Sequence, residues 1–309
     1  MLKLNRDHFN NSPNSFKTSK LYKMIVFLNG QYLPCEDAKV SVQDRGFLFG
    51  DGLYEVITVY QGKPFRMDDH LKRLRDGVNA LRISGVDPDI FHEVGRRLLQ
   101  ENELTRSDCT LYIQVTRGEA PRLHGFPTEG VEPTLFMAAT PLSAKSRFPG
   151  KTIRAILVPD LRWMRCDIKT ISLIANVLAR QRAIDERVQE AILVRNGVAL
   201  EGTFTTLFAV FDGIVVTNAN TNYILPGVTR DVVLELCRQE GIPYKEGSIF
   251  EHEIHNADEI FVTSTSMEIV PVIALDHKPI ADGDPGPVTK QLQHAFRRMI
   301  DEFLKSPSE

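Results

Sequence analysis

Short strand-like segments and helical segments alternate along most of the chain, and this alternation restricts the fold more than any other feature. In the first part the pattern predicts strands at IVFLNGQYLP and LYEVITVYQG, joined by the turn-rich SVQDRGFLFGDG. Helices over residues 68–83 and 89–102 follow, and then the strand DCTLYIQVTRG. Strands interspersed with helices favour an α/β (α+β) fold, in which helices cover sheets.

The second part repeats this mixture with more strands. It begins with TIRAILVPD and continues with the hairpin EAILVRNGVALEG, the strands of TLFAVFDGIVVT, a helix over residues 230–240, the strand EIFVTST and a helix over residues 288–304. Between the two parts, ATPLSAKSRFPG carries the proline, glycine and serine of a linker. We therefore predict a small α/β domain over residues 25–142, a linker over residues 143–149, and a larger, strand-rich domain over residues 150–309.

Residues 1–24 are polar and lack the apolar run of a signal peptide, which predicts a disordered or upstream extension. The formal net charge of -3 argues against general affinity for nucleic acid or anionic membranes. The four cysteines are far apart and match no zinc or disulfide pattern, so we assign no metal. We expect a cytoplasmic protein that binds small molecules and other subunits.

Residues 160–183 place one lysine, Lys169, before an apolar helical pattern formed by Ile171, Ile174, Ala175 and Leu178. An apolar surrounding disfavours the ammonium form, so such an amine loses its proton readily and can form a Schiff base with an aldehyde. An ordinary exposed lysine at a helix start is the alternative on local sequence alone.

Four further segments accompany DLRWMRCDIK, which ends on Lys169. They are RGFLFGDGLYEVI, VTRGEAPRLHGFP, LPGVTRDVV and FVTSTSMEI. In content and order the five resemble the signatures of fold-type IV pyridoxal-phosphate enzymes, most of all the D-amino acid aminotransferases. The resemblance extends from about residue 25 to the C-terminal helix, and it implies that Lys169 holds pyridoxal 5'-phosphate covalently.

Glu201 lies in ALEGTFTTLF, where local sequence alone allows an exposed turn carboxylate. The resemblance implies that Glu201 bonds the pyridine nitrogen, and a carboxylate there favours the protonated, electron-accepting ring. Thr203 and Thr205 are expected beside the ring. Phe204 and Thr206 depart from the family, which usually has small residues and an asparagine at these positions.

The segment LPGVTRDVV opens a helix, and the free N–H groups at a helix N-terminus bind anions, although a plain helix cap is the alternative. No Walker-type or GxGxxG loop occurs, which disfavours nucleotide binding. The resemblance implies a binding site for the cofactor phosphate, which we call the phosphate cup, made by Arg73, Val228, Thr229, Ser264 and Thr265.

Arg122 and His124 are two residues apart, so in an extended segment both side chains point the same way and could grip one carboxylate. Two solvated loop side chains are the alternative. By resemblance to D-selective members of the family, this pair and Tyr54 bind the substrate α-carboxylate. Arg162 matches a family position in the hydrogen bonding around the lysine.

The resemblance predicts a D-amino acid aminotransferase that moves the amino group of a D-amino acid, D-alanine, to a 2-oxo acid such as 2-oxoglutarate. It also implies a homodimer in which Arg122 and His124 serve the neighbouring subunit. The alternatives are an aminodeoxychorismate lyase, an L-branched-chain or amine transaminase, and a non-catalytic carrier of the cofactor. Trp163 and the pair Arg122 and His124 weigh against the first three, and the presence of both Lys169 and Glu201 weighs against the carrier.

Overall fold

A computed structural model of the chain describes residues 24–128, 130–142 and 151–306. Within these residues the protein forms sixteen strands, six α-helices and one short 3-10 helix. The strands make two sheets, one of six strands and one of ten. The predicted α/β class is confirmed.

The first sheet is antiparallel throughout, with the strand order β2-β1-β6-β5-β3-β4. Its strands are β1 (Ile25–Leu28), β2 (Gln31–Pro34), β3 (Gly52–Tyr60), β4 (Lys63–Pro64), β5 (Cys109–Thr116) and β6 (Thr134–Pro141). Helices α2 (Met67–Leu81) and α3 (Ile90–Glu101) cover one face, because each presents an apolar stripe at helical spacing. Leu71, Phe91 and Leu98 from these helices are buried against the sheet.

The segment SVQDRGFLFGDG contains a short helix, α1 (Arg45–Phe49), where the sequence predicted only turns. The Asp44 side chain caps it by accepting a hydrogen bond of 2.7 Å from the Gly46 N–H. Gly50 ends it with a left-handed φ of 67°, a conformation that costs glycine little. Strand β3 begins three residues after this helix ends.

The second sheet has the strand order β12-β11-β10-β14-β15-β7-β8-β9-β13, with β16 paired to β15. A pairing of Thr206 with Glu201 also joins β10 to β9, so the middle of this sheet closes on itself. The strands are β7 (Ile153–Pro159), β8 (Glu190–Arg195), β9 (Val198–Gly202), β10 (Thr206–Phe211), β11 (Ile214–Thr217), β12 (Tyr244–Glu246), β13 (Ile249–Phe250), β14 (Glu259–Ser264), β15 (Glu268–Leu275) and β16 (Lys278–Pro279).

Three helices and a 3-10 helix at Ile254–Asn256 accompany this sheet. Helices α5 (Val228–Gln239) and α6 (Pro287–Lys305) bury their apolar stripes around the stacked rings of Phe208 and Phe261. Helix α4 (Ile174–Asp185) does not follow its sequence pattern. It begins five residues after Lys169, and Ile174 and Leu178 are 70% and 61% exposed, so these two apolar residues of the pattern are not buried within the chain.

The first sheet ends with β6 at Pro141 and the second begins with β7 at Ile153, and the domain boundary between them stays a prediction. The proline- and serine-rich segment that suggested it begins inside β6, which extends to Pro141. The predicted linker, residues 143–149, and residues 1–23 lie outside the described part of the chain. No helix within the described residues is long and apolar enough to cross a membrane.

Side-chain and backbone contacts from β3 and α2 join the two sheets. The Thr58 hydroxyl donates a hydrogen bond of 2.8 Å to the Thr265 carbonyl. Arg73 on α2 donates through Nη1 to the Pro226 carbonyl, also at 2.8 Å. Leu53 in β3 forms an isolated β-bridge with Thr170. These contacts bring the chain around Lys169, the start of α5 and the end of β14 to one place.

Candidate active site

A cavity of about 310 Å³ lies at this junction between the sheets. Such a volume falls at the lower end of the range for sites that bind small molecules or cofactors. All of the predicted site residues line it except Arg122 and His124. The lining includes Tyr54, Arg73, Arg162, Lys169, Glu201, Thr203, Thr205, Val228, Thr229, Ser264 and Thr265.

Lys169 is fixed by its backbone rather than by the helix that follows it. Its carbonyl accepts a hydrogen bond of 3.0 Å from the Tyr54 N–H, and the Ile171 N–H donates to the Gly52 carbonyl at 3.1 Å. The segment therefore runs beside β3, and the Lys169 Nζ lies 4.3 Å from the centroid of the Tyr54 ring. Burial and the nearby Arg73 charge lower the pKa of this amine to about 8, although Glu55 and Glu201 oppose the shift.

Glu201, on β9, is only 5% exposed and faces the cavity. Its Oε1 accepts a hydrogen bond from Arg162, and the Leu225 N–H donates to Oε2 at 3.1 Å. Arg162 is held in turn by Asp160, which accepts from its Nε at 2.9 Å and from its Nη2 at 3.0 Å. Burial raises the pKa of Glu201 despite the opposing Arg162 charge. Arg162 thus bonds to Glu201 and Asp160, and its predicted role around the lysine stays a prediction.

One end of the cavity has the character of an anion site. Helix α5 begins at Val228 after the N-cap Gly227, which has no side chain to cap it, so the first N–H groups of the helix are available beside Thr229. Ser264 and Thr265, at the end of β14, lie along the same wall. The Thr263 Oγ1 is buried without a hydrogen-bond partner and also lines the cavity. These groups offer donors to a bound anion.

Arg73 supplies the cation at this end, and two residues that the sequence analysis missed hold it there. Glu55 accepts from the Arg73 Nε at 2.7 Å and from its Nη2 at 2.8 Å. His70 lies 2.9 Å from Glu55 through Nδ1. Burial alone would raise the pKa of Glu55, but Arg73 and His70 lower it well below its usual value. A glutamate inside the apolar strand LYEVITVY was the available signal.

Thr203 and Thr205 line the cavity, but their hydroxyls bond to another carboxylate that the sequence analysis missed. Thr203 Oγ1 donates to Glu190 Oε1 at 2.6 Å, and Thr205 Oγ1 donates to Oε2 at 3.0 Å. Glu190 is fully buried, and burial raises its pKa. The ring of Phe204 between the two threonines is 48% exposed and lines the cavity. Glu190 thus fixes the turn that carries these residues.

The three residues predicted to bind the substrate separate into two groups. Tyr54 lines the cavity, and burial raises the pKa of its hydroxyl to about 12. Arg122 and His124 are exposed on the segment between β5 and β6 and lie outside the cavity lining of their own chain. Both side chains meet the Phe49 ring, with centroid distances of 5.2 Å for the Arg122 Cζ and 5.6 Å for the His124 ring. Both side chains therefore contact the same ring, and their predicted role in substrate binding stays a prediction.

Comparison with protein families matches residues 52–275 to the family described as amino-transferase class IV. The chain belongs to the class IV aminotransferase family. The D-alanine aminotransferase of Staphylococcus aureus strain N315 is 39% identical over 277 residues, which cover 89% of this chain and 98% of that protein. The D-alanine aminotransferase of Bacillus licheniformis is 37% identical over 279 residues, which cover 90% and 97%.

Solved structures of other class IV aminotransferases share the fold. The branched-chain amino acid aminotransferase of Escherichia coli superimposes with a TM-score of 0.82 at 29% identity, covering 89% of this chain and 94% of that one. The branched-chain enzyme of Thermobaculum terrenum, solved in its PLP form, gives a TM-score of 0.81 at 23% identity, covering 91% and 94%. The predicted family resemblance is confirmed.

Class IV aminotransferases depend on pyridoxal 5'-phosphate, and the residues of this aminotransferase cavity fit that group. An amine with a lowered pKa, a carboxylate held by an arginine and an anion site all line the same cavity. The buried Thr263 hydroxyl without a partner is accounted for if a ligand lies against it. Among the described residues, no group of three or more His, Cys, Asp or Glu side chains could hold a metal ion.

Proposed function

We propose that the protein is a pyridoxal-phosphate-dependent D-amino acid aminotransferase that transfers the amino group of D-alanine to a 2-oxo acid such as 2-oxoglutarate. The observation that carries the proposal is the position of Lys169. Its amine, with a pKa of about 8, lies in a cavity that also contains the clamped carboxylate of Glu201 and an anion site. This combination suits a lysine that bonds an aldehyde and then moves a proton.

Several residues that line the cavity would hold the cofactor. Lys169 would hold its aldehyde group, Glu201 would interact with its ring nitrogen, and Thr203 and Thr205 would lie beside the ring. The phosphate cup defined above would hold the phosphate, because it combines one guanidinium, a helix N-terminus and several hydroxyls. When bound, the cofactor supplies an electron sink for the bonds at the substrate's Cα.

Side chains of the protein transfer the proton, orient the groups of the site and bind the substrate. Lys169 takes the proton from the substrate's Cα as a neutral amine and can give it up again, because a pKa near 8 keeps both protonation states of the amine accessible near neutral pH. Glu201 favours a protonated ring nitrogen by its charge, and Arg162 and Asp160 keep that carboxylate oriented. Tyr54, Arg122 and His124 bind the substrate's α-carboxylate.

Two observations favour a D-amino acid over an L-branched-chain substrate, although the solved structures compared above are of branched-chain enzymes. The two relatives described above are both named D-alanine aminotransferases and are more similar in sequence than those structures. The side chains of Arg122 and His124 also both contact the Phe49 ring, so a guanidinium and an imidazole lie near enough to each other to bind one substrate carboxylate.

We propose a homodimer as the active unit. Arg122 and His124 lie on the surface of the subunit, outside its own cavity. Apolar side chains at the cavity mouth and on α4 are exposed, among them Leu161 at 79% and Ile174 at 70%. A patch of this kind marks an interface, and a two-fold dimer would bring each exposed pair to the partner's cavity. We also propose a cytoplasmic location, where the four free cysteines stay reduced.

The test is a half-reaction of the holoenzyme with D-alanine, followed by the absorbance of the cofactor. A D-amino acid aminotransferase converts the cofactor to its amine form and releases one equivalent of pyruvate, whereas L-leucine gives little conversion. Faster conversion by L-leucine would replace the proposal with a branched-chain enzyme. Little amine form together with lyase activity would indicate the lyase alternative, and no spectral change with any amino acid would indicate a carrier.

A further inference from the structure

The segment that carries Arg122 and His124 has no strand or helix of its own; backbone hydrogen bonds hold its start at Gly118 and Ala120, and side-chain contacts hold residues 122–126. One of these contacts comes from Arg45 on α1. Its Nη1 donates a hydrogen bond of 2.7 Å to the Leu123 carbonyl, between the two predicted substrate residues. Its Nε donates at 2.8 Å to the Asp51 carboxylate, and the Arg45 side chain is buried.

Asp51 has a second arginine partner, which reaches the other end of the segment. Arg117 donates to Asp51 through Nε at 2.8 Å and through Nη2 at 3.0 Å. Its remaining donors go to the carbonyls of Leu81 and Arg82 at 2.8 and 2.9 Å. The guanidinium of Arg117 lies 3.9 Å from the centroid of the Phe126 ring.

Phe126 is held from both sides, because Arg82 also lies 4.7 Å from its ring centroid. An arginine over an aromatic face is an attractive contact, strongest where water is excluded. At the other end, the Phe49 ring receives Arg45 at 4.8 Å as well as Arg122 and His124. The segment is therefore fixed near Leu123 and at Phe126.

The contacts at Leu123 and at Phe126 both depend on one carboxylate, because Arg45 and Arg117 both donate to Asp51 Oδ2. The Asp51 side chain is only 13% exposed. Burial alone would raise the pKa of Asp51, but the hydrogen bonds from Arg117 and Arg45 lower it, so the group is ionised at neutral pH. Without this charge, two buried guanidinium groups would lie side by side uncompensated.

We propose that Asp51 is a positioning residue for substrate binding: through Arg45 and Arg117 it fixes residues 122–126 so that Arg122 and His124 grip the substrate's α-carboxylate. The inference rests on the proposed function of that pair. Asp51 lies outside the cavity lining and acts on the substrate only through the segment.

The test uses the holoenzyme of Asp51→Asn, which retains the size of the side chain and removes its charge. We expect the KM for D-alanine to rise roughly tenfold or more, as for loss of a charge-assisted contact. The ratio of D-alanine to L-alanine activity should fall with it. The kcat at saturating substrate should change by less than about threefold, and the absorbance and affinity of the cofactor should stay the same.

Asp44, at the opposite end of α1, provides the matched control. It is buried and accepts hydrogen bonds from Thr116 and Thr134 at 2.8 and 2.6 Å, but it makes no contact with residues 122–126. Asp44→Asn should lower the melting temperature without changing the KM for D-alanine. Asp51→Glu, which retains the charge, should restore part of the lost affinity. If Asp51→Asn behaves like Asp44→Asn, the inference is wrong.

Arg45→Lys provides a second test in case the Asp51→Asn protein does not fold. A lysine retains the positive charge facing Asp51 but cannot bond Asp51 and the Leu123 carbonyl together in the manner of a guanidinium. It should raise the KM for D-alanine in the same direction, and an unchanged KM would overturn the inference. Arg122→Ala separates the two proposals. If Arg122→Ala raises the KM but Asp51→Asn and Arg45→Lys do not, the positioning role of Asp51 is wrong. If none of the three variants raises the KM, the proposed substrate-binding pair is wrong as well.

Discussion

The Nζ atom of Lys169 lies 4.3 Å from the centroid of the Tyr54 ring, while the Tyr54 N–H donates a hydrogen bond of 3.0 Å to the Lys169 carbonyl. The same residue of β3 thus fixes both the backbone and the side chain of the lysine. The electron-rich ring face favours the ammonium form, and burial disfavours it. Burial has the larger effect, since the pKa is lowered to about 8.

This lowered pKa predicts the pH dependence of lysine reactivity in the cofactor-free protein. Only the neutral amine reacts with an amine-selective reagent such as trinitrobenzenesulfonate. Below pH 8 most of Lys169 is protonated, so its labelling rate should rise with pH through about 8 and level off above it. An exposed lysine should continue to rise to about pH 10.4. Peptide mass spectrometry of labelled protein measures the rate, and a midpoint above pH 10 for Lys169 would contradict the prediction.

Lys169→Ala should abolish transamination, because the substitution removes both the bond to the cofactor and the group that moves the proton. Steady-state assays with D-alanine and 2-oxoglutarate measure this loss, and circular dichroism provides the control for folding. The backbone bonds between Lys169 and β3 do not involve its side chain, so the fold should persist. Near-normal turnover without any added amine would remove Lys169 from the reaction.

The fold followed from sequence because its elements carry their own signals. Helices α2 and α3 and the hairpins of the second sheet lie within a few residues of their predicted positions. The apolar periodicity of the sequence did not predict how α4 packs, because its apolar residues Ile174 and Leu178 face outward. Periodicity shows that a helix has an apolar face, but it does not say whether this face packs within the chain or against another subunit.

The residues in and around the cavity also divide into those that the sequence predicted and those that it did not. Motifs identified Lys169 and Glu201, because each has a recognisable neighbourhood in the chain. They did not identify Glu55 beneath Arg73 or Asp51 between Arg45 and Arg117. These carboxylates meet their partners only when β3, the helices and the segment after β5 come together. Burial with an opposite charge is a property of the folded chain, and spacing along the sequence does not reveal it.

Glu201→Gln should bind the cofactor but react more slowly, since a neutral amide no longer favours a protonated ring nitrogen. Arg162 keeps its two hydrogen bonds to Asp160, so the surrounding structure should remain. We expect the rate of Cα proton removal to fall at least roughly tenfold, as for loss of a positioned electrostatic group. Stopped-flow absorbance with Cα-deuterated D-alanine measures this step, and an unchanged rate would exclude Glu201 from the chemistry.

Arg122→Ala should weaken substrate binding and leave the cofactor in place, because Arg122 lies outside the cavity that receives the cofactor. Losing a charge-assisted contact costs about 1.5 to 3 kcal/mol, which corresponds to roughly a 10- to 150-fold rise in the KM for D-alanine. The variant should also lose preference for D-alanine over L-alanine. A panel of D- and L-amino acids with 2-oxoglutarate provides the measurement. If the KM rises equally for substrates that lack a carboxylate, the contact is not to that group.

The last prediction concerns the origin of the residues in one active site. Lys169, Glu201 and the phosphate cup line the cavity of their own chain, whereas Arg122 and His124 are exposed on the segment after β5. In a two-fold dimer each such segment would close the partner's cavity, and both exchanges would occur together. A site would then combine Lys169 of one subunit with Arg122 of the other.

Mixing Lys169→Ala chains with Arg122→Ala chains tests this arrangement, at D-alanine concentrations where each variant alone is nearly inactive. After subunit exchange, a mixed dimer has one site with both substitutions and one site with neither. We therefore expect activity to return toward half of the wild-type value per mixed dimer, with each variant mixed with itself as the control. If the segment serves its own subunit, every site keeps one substitution and no activity returns, although Lys169 and Glu201 would retain their roles in the chemistry.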